Sequence, residues 1–416
     1  MKITDIKPQV FELAKICEDE IRPQFDRIDR IAEINTMKVM EAFQECRVSE
    51  ACFAGTSGYG YDDLGREVLD KVYARVFRTE SALVRINFVN GTHALTTALF
   101  GLLKPGDTLL SVTGKPYDTL RSAIGIEGEQ FGSLKFYGIN YEQVDLMPCG
   151  DPDIGGIKKA AANGHVTAVL IQRSRGYDDR RALSAEEIGE ICAAVKSVDP
   201  KINVMVDNCY GEFTGEHEPT EYGVDLMAGS LIKNPGGGLA PTGGYIVGRK
   251  ELVDRAAMRL TTPGIGGECG ATLGNNRLLF QGFFMAPHIV AQALKTAVFC
   301  AAMAQKAGFE TSPAPTEARN DIIQMIRLGS ADNMKKFCKG IQSGAPVDSY
   351  VSPEPWQMPG YTCPVIMAAG AFIQGSSIEL SADGPVKEPY IVYMQGGITY
   401  ESGKLGIMMA ISEMLD

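Results

Sequence analysis

At 416 residues the chain is too long for one small core and suits two domains, on an allowance of roughly 150 residues each. Hydrophobic residues at 45% and charged residues at 22% are ordinary globular usage and argue against disorder or a fibre. Forty basic against 51 acidic side chains leave a net charge of −11, which disfavours nonspecific binding to nucleic acid or an anionic membrane, since both need concentrated positive charge.

The first 50 residues read as an amphipathic helical arm. Phe11, Ala14, Ile16, Ile21, Ile28, Ile31, Ile34, Val39 and Phe43 recur near a 3.6-residue period. Such an arm cannot bury its stripe alone, so it is expected against the main body or a second subunit. A glycine-rich break follows, GTSGYGYDDLG at 55–65, and then a helix over 66–77. From there apolar strands over 84–89, 108–112, 167–172, 203–207 and 226–232 alternate with helices over 92–103, 119–125 and 184–198. Lys104-Pro105-Gly106-Asp107 is a turn, and Ser184 with Glu187 forms a capping box. Near-continuously apolar strands separated by helices predict a mostly parallel central sheet with helices on both faces, an α/β fold. A long helix over 287–307 is read as the connector to a smaller α+β domain that ends in a strand over 391–394 and a helix over 406–414. The expected division is an arm (1–50), a large domain (51–286), and a connecting helix with small C-terminal domain (287–416).

The ten cysteines and four histidines are scattered, without CxxC or HExxH, so neither a metal site nor a disulfide framework is expected. Reduced thiols, an N-terminus without a secretory apolar region and the lack of an apolar run near the roughly 20 residues of a membrane span lead to the expectation of a cytoplasmic protein.

Ligands of open α/β sheets sit outside the carboxyl ends of the strands, so residues there are candidates on geometry. Asn90-Gly91-Thr92-His93-Ala94 follows a strand and opens a helix, whose free N–H groups suit one phosphate; a plain strand-to-helix turn is the alternative. The pattern is neither GxGxxG nor GxxxxGK[ST], which disfavours a dinucleotide or a nucleoside triphosphate. His93 by itself reads as packed or solvated. Asp207 ends an apolar strand with no second carboxylate or histidine to complete a metal site, so its positive partner is sought in a cofactor ring nitrogen. In Ser230-Leu231-Ile232-Lys233-Asn234-Pro235-Gly236-Gly237-Gly238 a lysine closes an apolar strand. Partial desolvation is expected to depress its pKa and make the amine nucleophilic, the alternative being a surface lysine beside a turn.

The motifs GYGYDDLGR, NGTHAL, QRSRGY, DNCYGEF and SLIKNPGGGLAPTGGYIVG together resemble the methionine gamma-lyase-like, "aluminium resistance" family. This is a branch of the Cys/Met-metabolism enzymes of fold type I that use pyridoxal 5'-phosphate (PLP), and the similarity runs through nearly the whole chain. The resemblance implies that Lys233 forms an aldimine with the PLP aldehyde and then shuttles the substrate Cα proton. Asp207 would pair with the pyridine nitrogen, while Gly91, Thr92 and Ser230 hold the phosphate. Tyr117 would stack on the ring and help eject the leaving group. Tyr59 and Tyr61 would reach the phosphate of a neighbouring subunit, making the protein a dimer or a dimer of dimers with shared sites. Fold type I enzymes usually bind the substrate carboxylate with a small-domain arginine, yet no arginine follows Arg327. Arg173 or Arg175 is the expected substitute, unless they pair with Asp178 and Asp179. The loop over 261–270 is read as a mobile cover or an ordinary turn. The implied activity is a carbon–sulfur lyase eliminating a thiol from cystathionine, cysteine or methionine. An aminotransferase or decarboxylase would keep the same cofactor-holding residues, and a non-catalytic PLP-binding protein linked to aluminium tolerance is the reading of another class.

Overall fold

A computed structural model describes residues 2–127, 131–357 and 363–415. The arm forms two helices, α1 (Pro8–Glu20) and α2 (Arg22–Glu45), each with a proline in its first turn, where a missing N–H costs nothing. Val10, Ala14, Cys17, Phe25, Ile28, Val39 and Ala42 face inward. Phe11 and Ile16 of the predicted stripe point outward instead, since the buried face of α1 runs through 10, 14 and 17. The arm lies against its own chain: Phe43 meets Phe280 edge-on at 5.9 Å, and Asn35 donates to the Gly215 carbonyl at 2.9 Å.

After α3 (Leu64–Val76) come β1 (Ser81–Arg85), α4 (Gly91–Leu102), β2 (Thr108–Ser111), α5 (Asp118–Ile124), β3 (Asn140–Gln143), α6 (Ile154–Ala161), β4 (Val166–Gln172), α7 (Ala185–Val198), β5 (Asn203–Asp207), β6 (Leu226–Ser230), β7 (Gly244–Gly248) and α8 (Lys250–Leu260). These strands make one seven-stranded sheet in the order β1-β7-β6-β5-β4-β2-β3. Only β7 runs against the others, pairing antiparallel with both β6 and β1. Apolar side chains fill both faces of the sheet, which is why its strands read as unbroken hydrophobic runs. The Ser184–Glu187 capping box forms as expected, with both reciprocal hydrogen bonds at the start of α7.

The connecting helix α9 spans Asn276–Lys306, eleven residues earlier than its predicted start, with Pro287 inside it. Proline in a helix interior costs about 3 kcal/mol, and burial along most of α9 offsets that cost. The domain boundary expected at 287 therefore falls within a continuous helix. By length and composition α9 could cross a bilayer, but 72% of its most apolar window is buried inside the protein.

Beyond α9 lie β8 (Glu310–Ser312), β9 (Ile323–Arg327), α10 (Ala331–Gly344), β10 (Val365–Ala369), β11 (Ser381–Pro385), β12 (Ile391–Gln395) and α11 (Tyr400–Met414). The five strands form an antiparallel sheet, β10-β11-β12-β9-β8. One face of it packs on α10 and α9, while the other carries Ile323, Met325, Ile391 and Tyr393 against Tyr177 and Tyr210 of the large domain. The small sheet thus roofs the carboxyl edge of the large one.

Candidate active site

Parallel pairing sets the functional side chains side by side. Asp207 ends β5 and pairs in register with Gln172 of β4 and Ala228 of β6. Ser230 ends β6, and a Cβ on Gly91, at the start of α4, would sit 3.1 Å from the Ser230 Cβ. Lys233 follows three residues after Ser230 and opens the tight turn Asn234–Gly236. Lys233 is half-buried, with its amine 3.8 Å from the centroid of the Tyr210 ring. Tyr210 adopts a left-handed backbone, φ 73°, and its hydroxyl meets Ser377 Oγ at 3.2 Å. That conformation is costly for an aromatic residue, and here it holds the ring under the amine.

Asp207 is buried and accepts the Cys209 N–H at 3.1 Å. Burial raises its pKa, and the Lys233 amine pulls it back. The expected depression of the Lys233 pKa is not found. Burial would lower it, but Cys209, Tyr210 and Asp207 face the amine and together hold it above the ordinary lysine value. The ligand-free amine is therefore a charged group seated among acids.

Around Gly91 the polar atoms face one spot. Ser230 Oγ is buried without a hydrogen-bond partner, and Thr92 Oγ1 lies 2.8 Å from Thr119 Oγ1. The Asn90 side chain caps α4 by accepting the His93 N–H at 2.8 Å. His93 itself serves the scaffold, because its Nδ1 accepts the Val89 N–H at 3.1 Å and burial lowers its pKa. Tyr117 is fixed by its own N–H, which donates to Gln172 Oε1 at 2.6 Å. Its ring fits over Gly176, where a Cβ would come within 3.0 Å of the ring, and lies 5.9 Å from that of Tyr177.

Tyr59 and Tyr61 stand apart from this cluster. They stack on each other at 5.6 Å and are 75% and 54% exposed. Their loop is held firmly: Asp63 caps α3 and accepts from Thr272 Oγ1 at 2.5 Å and Asn276 Nδ2 at 3.1 Å. The loop over 261–270 is similarly tied, because Arg66 donates to the Glu268 and Gly270 carbonyls at 3.1 and 3.0 Å. Those bonds fit an anchored turn better than a mobile cover.

The two candidate arginines part company. Arg173 is consumed by the scaffold, donating to Asn208 Oδ1 at 2.8 Å and to the Gly211 carbonyl at 2.9 Å beside Glu218. This corrects the expectation that it serves the substrate. Arg175 is buried where the two lobes meet; its terminal nitrogens reach Ser312 Oγ at 3.3–3.4 Å, and its Nε has no acceptor. Neither guanidinium pairs with the Asp178 or Asp179 carboxylate among the described residues; the contact there is between backbones, the Asp178 N–H donating to the Arg175 carbonyl at 3.1 Å. Arg175 lines a cavity of about 680 Å³ together with Arg121, Arg180, Ser312, Asn320 and Asp321. Arg180 carries no sequence signal of its own. It donates to the Gln172 carbonyl at 3.0 Å, next to the strand position of Asp207, and burial lowers its pKa to about 10. Tyr177, Tyr210, Tyr393 and Asp383 also escape the sequence reading, although Tyr210 lies within the DNCYGEF motif, three residues after Asp207.

Beneath the lysine turn, Glu212 is fully buried. Its Oε1 accepts the Tyr245 hydroxyl at 2.7 Å, its Oε2 has no partner, and burial pushes the carboxyl up to about 8. A carboxyl raised in the folded state binds more protons folded than unfolded, so it costs stability as pH rises from about 4.5 through about 8. In cofactor-free protein, Glu212→Gln should therefore flatten the loss of stability between pH 5 and 8, by a few kcal/mol on the order of 1.4 per pKa unit. Urea midpoints of both proteins across that range check this; parallel curves would refute it.

Among the described residues no group of three His, Cys, Asp or Glu side chains is placed to hold a metal ion. The family model described as methionine gamma-lyase matches residues 10–415. The carbon–sulfur lyase involved in aluminum resistance from Clostridium novyi NT is 54% identical, with a TM-score of 0.95 covering 99% of this chain and 97% of that one. YnbB of Bacillus subtilis is 47% identical over 96% of this chain and 94% of its own length. The pyridoxal-5'-phosphate-dependent protein YhfS of Escherichia coli, only 17% identical, shares the fold at a TM-score of 0.62 over 92% of this chain and 95% of that one.

Proposed function

The chain belongs to the methionine gamma-lyase family, and on that premise we propose that it is a PLP-dependent carbon–sulfur lyase that eliminates a thiol from a sulfur amino acid. The observation that carries this reading is the meeting of Lys233, Asp207 and Ser230 at one sheet edge. The buried Ser230 hydroxyl lacks a partner beside the N-terminus of α4, which suits a phosphate. The buried Asp207 carboxylate needs a cation, which a protonated pyridine nitrogen provides. Lys233 sets a primary amine beside them. The residues fit the cofactor, and the likeness to the Clostridium lyase supports the chemistry.

Bound there, PLP supplies an electron sink that acidifies the Cα–H bond of an amino acid. The protein's part is to position groups and move protons. Gly91, Thr92 and Ser230 would hold the phosphate, Asp207 would keep the ring nitrogen charged, and the Tyr117 ring would pack against the cofactor ring. The Lys233 Nζ is the amine that would hold the aldehyde, and the base placed to take the Cα proton. The hydroxyl of the half-buried Tyr117 gives a proton to the leaving sulfur, so the thiol departs neutral. Arg175, with an unfilled donor at the cavity wall, takes the substrate carboxylate. Tyr59 and Tyr61, exposed on a tethered loop, serve the phosphate site of a second copy in a homodimer.

The purified protein with PLP should turn cystathionine, cysteine or methionine into equal amounts of thiol, ammonia and 2-oxo acid, without an amino acceptor. An absolute need for an oxo-acid co-substrate would assign it to the aminotransferases instead. Release of carbon dioxide with the thioether intact would make it a decarboxylase.

A further inference from the structure

A second cavity, of about 330 Å³, lies outside the site described above, where the arm, α9, the large domain and the small lobe meet. Ile28 of α2, Thr214 of the large domain, Leu294 and Val298 of α9, and Arg319 from the segment between β8 and β9 all line it. Arg319 Nη2 donates to Gln324 Oε1 at 2.6 Å and to the Ala297 carbonyl at 3.4 Å. Its Nε and Nη1 are buried without an acceptor, and no carboxylate pairs with it among the described residues. Asp321 is the acid it feels most strongly. The oxygens of Asp321 are already taken, by Ser174 Oγ at 2.8 Å, the Arg175 N–H at 3.3 Å and the Ile323 N–H at 3.1 Å. Burial lowers the Arg319 pKa to about 10, which leaves the group charged at neutral pH. A buried cation with unfilled donors is costly unless an anion joins it.

The rest of the lining decides what kind of anion. Ile28, Leu294 and Val298 are buried apolar surface. The other charged groups, Arg27, Glu186, Glu216, His217 and Glu317, are exposed, and three of them are acids. Acids at the rim repel a dianion such as phosphate more than a monoanion. One buried guanidinium with apolar walls is the chemistry that takes a monocarboxylate with a short apolar tail. Glu317, Ala318 and Asn320 also line the cavity that holds Arg175, so this segment is a wall common to both. Arg175 and Arg319 lie within each other's field. An anion on Arg319 therefore lowers the positive potential at Arg175 and opposes a second carboxylate there, and the opposition is mutual.

We infer that this cavity is an effector site for a monocarboxylate with a short apolar tail, held by Arg319, whose occupancy weakens the hold of the neighbouring cavity on the substrate carboxylate. The binding stands by itself, whereas the coupling rests on the lyase reading. The probe is 4-methylpentanoate, which has no amine to condense with PLP. Calorimetric titration of the PLP-supplied protein should show saturable binding at least about 10-fold tighter than that of acetate, because the tail adds buried carbons. Arg319→Gln should weaken it about 10- to 100-fold, the range for hydrogen bonds to a charged group. Arg175→Gln should leave it within about fivefold. Failure of the probe to bind, a larger loss in Arg175→Gln, or full binding in Arg319→Gln overturns the site. The coupling is read with L-norleucine, which has no sulfur to eliminate. Its apparent dissociation constant, followed by the cofactor absorbance, should rise about two- to fivefold at saturating 4-methylpentanoate in the wild type and stay unchanged in Arg319→Gln. A rise that persists in Arg319→Gln puts the probe at Arg175 and overturns the inference; no rise in the wild type overturns the effector role. If Arg319→Gln does not fold, a crystal structure of wild-type protein with 4-methylpentanoate decides. The carboxylate against Arg319 supports the site, and any other seat refutes it. A protein that binds 4-methylpentanoate through Arg319 yet shows no cofactor band keeps the site and loses the coupling together with the lyase reading.

Discussion

Replacing Lys233 by alanine is expected to lower thiol release by at least about 10⁴-fold and to let PLP be removed by dialysis. One side chain has two roles in the proposed chemistry, and both vanish together. Proton transfer by a positioned base contributes about 10²–10⁴-fold, and loss of the covalent anchor leaves only the phosphate and ring contacts to retain the cofactor. The local structure makes substitution by a neighbour implausible, since the other groups facing this spot, Cys209, Tyr210 and Asp207, are acids rather than amines. Steady-state assays before and after dialysis, with the visible absorption of the cofactor followed in parallel, check both halves. Full turnover in the variant would remove Lys233 from the chemistry.

The second large effect is expected at Asp207. Asp207→Asn keeps the shape and the neighbour contact but removes the charge that a pyridine nitrogen needs. Breaking one side of a buried ion pair costs about 3–5 kcal/mol, so PLP affinity should fall about 10²- to 10⁴-fold, with turnover falling at saturating PLP as well. The same change takes away one of the groups that raise the Lys233 pKa, so the amine of the cofactor-free variant should titrate lower than in the wild type. Fluorescence titration with PLP and the pH dependence of Lys233 modification by a small aldehyde measure the two consequences. Wild-type PLP affinity in Asp207→Asn would disconnect this carboxylate from the ring.

Much of this geometry is legible in the sequence because it depends on local signals. The strand ending at Asp207 is placed to the residue, since four mostly apolar residues and an acid leave little freedom. The Ser184–Glu187 box and the glycine-opened α4 follow from capping chemistry a few residues long. What escapes has no such signal. β11 reads Ser-Ala-Asp-Gly-Pro, residues that disfavour strands, and it is held by pairing with β10 and β12 on either side. Asp383 is invisible for that reason. α9 is cut short at Pro287 in the sequence reading because a local rule is outweighed by burial along the whole helix. Arg173 and Arg175 are two residues apart and indistinguishable in QRSRGY, yet one ends in the scaffold and the other at the cavity wall. The Lys233 pKa is expected to fall because burial can be read from the strand, whereas the acids facing the amine belong to a different strand end.

The turn beyond Lys233 rests on α9 backbone to backbone. A methyl group on Gly237 would come within 2.2 Å of the Gly282 carbonyl oxygen, and one on Gly282 within 2.2 Å of that of Gly236. No side chain fills this seam, so no rotamer change can absorb an intruding atom. Alanine at 237 or 282, though it touches neither ligand nor charge, would act as a wedge that tilts the amine off its aim. Attempts to retune the specificity of this protein have room to vary the tyrosine-lined wall, but the glycine seam behind the lysine is closed to them.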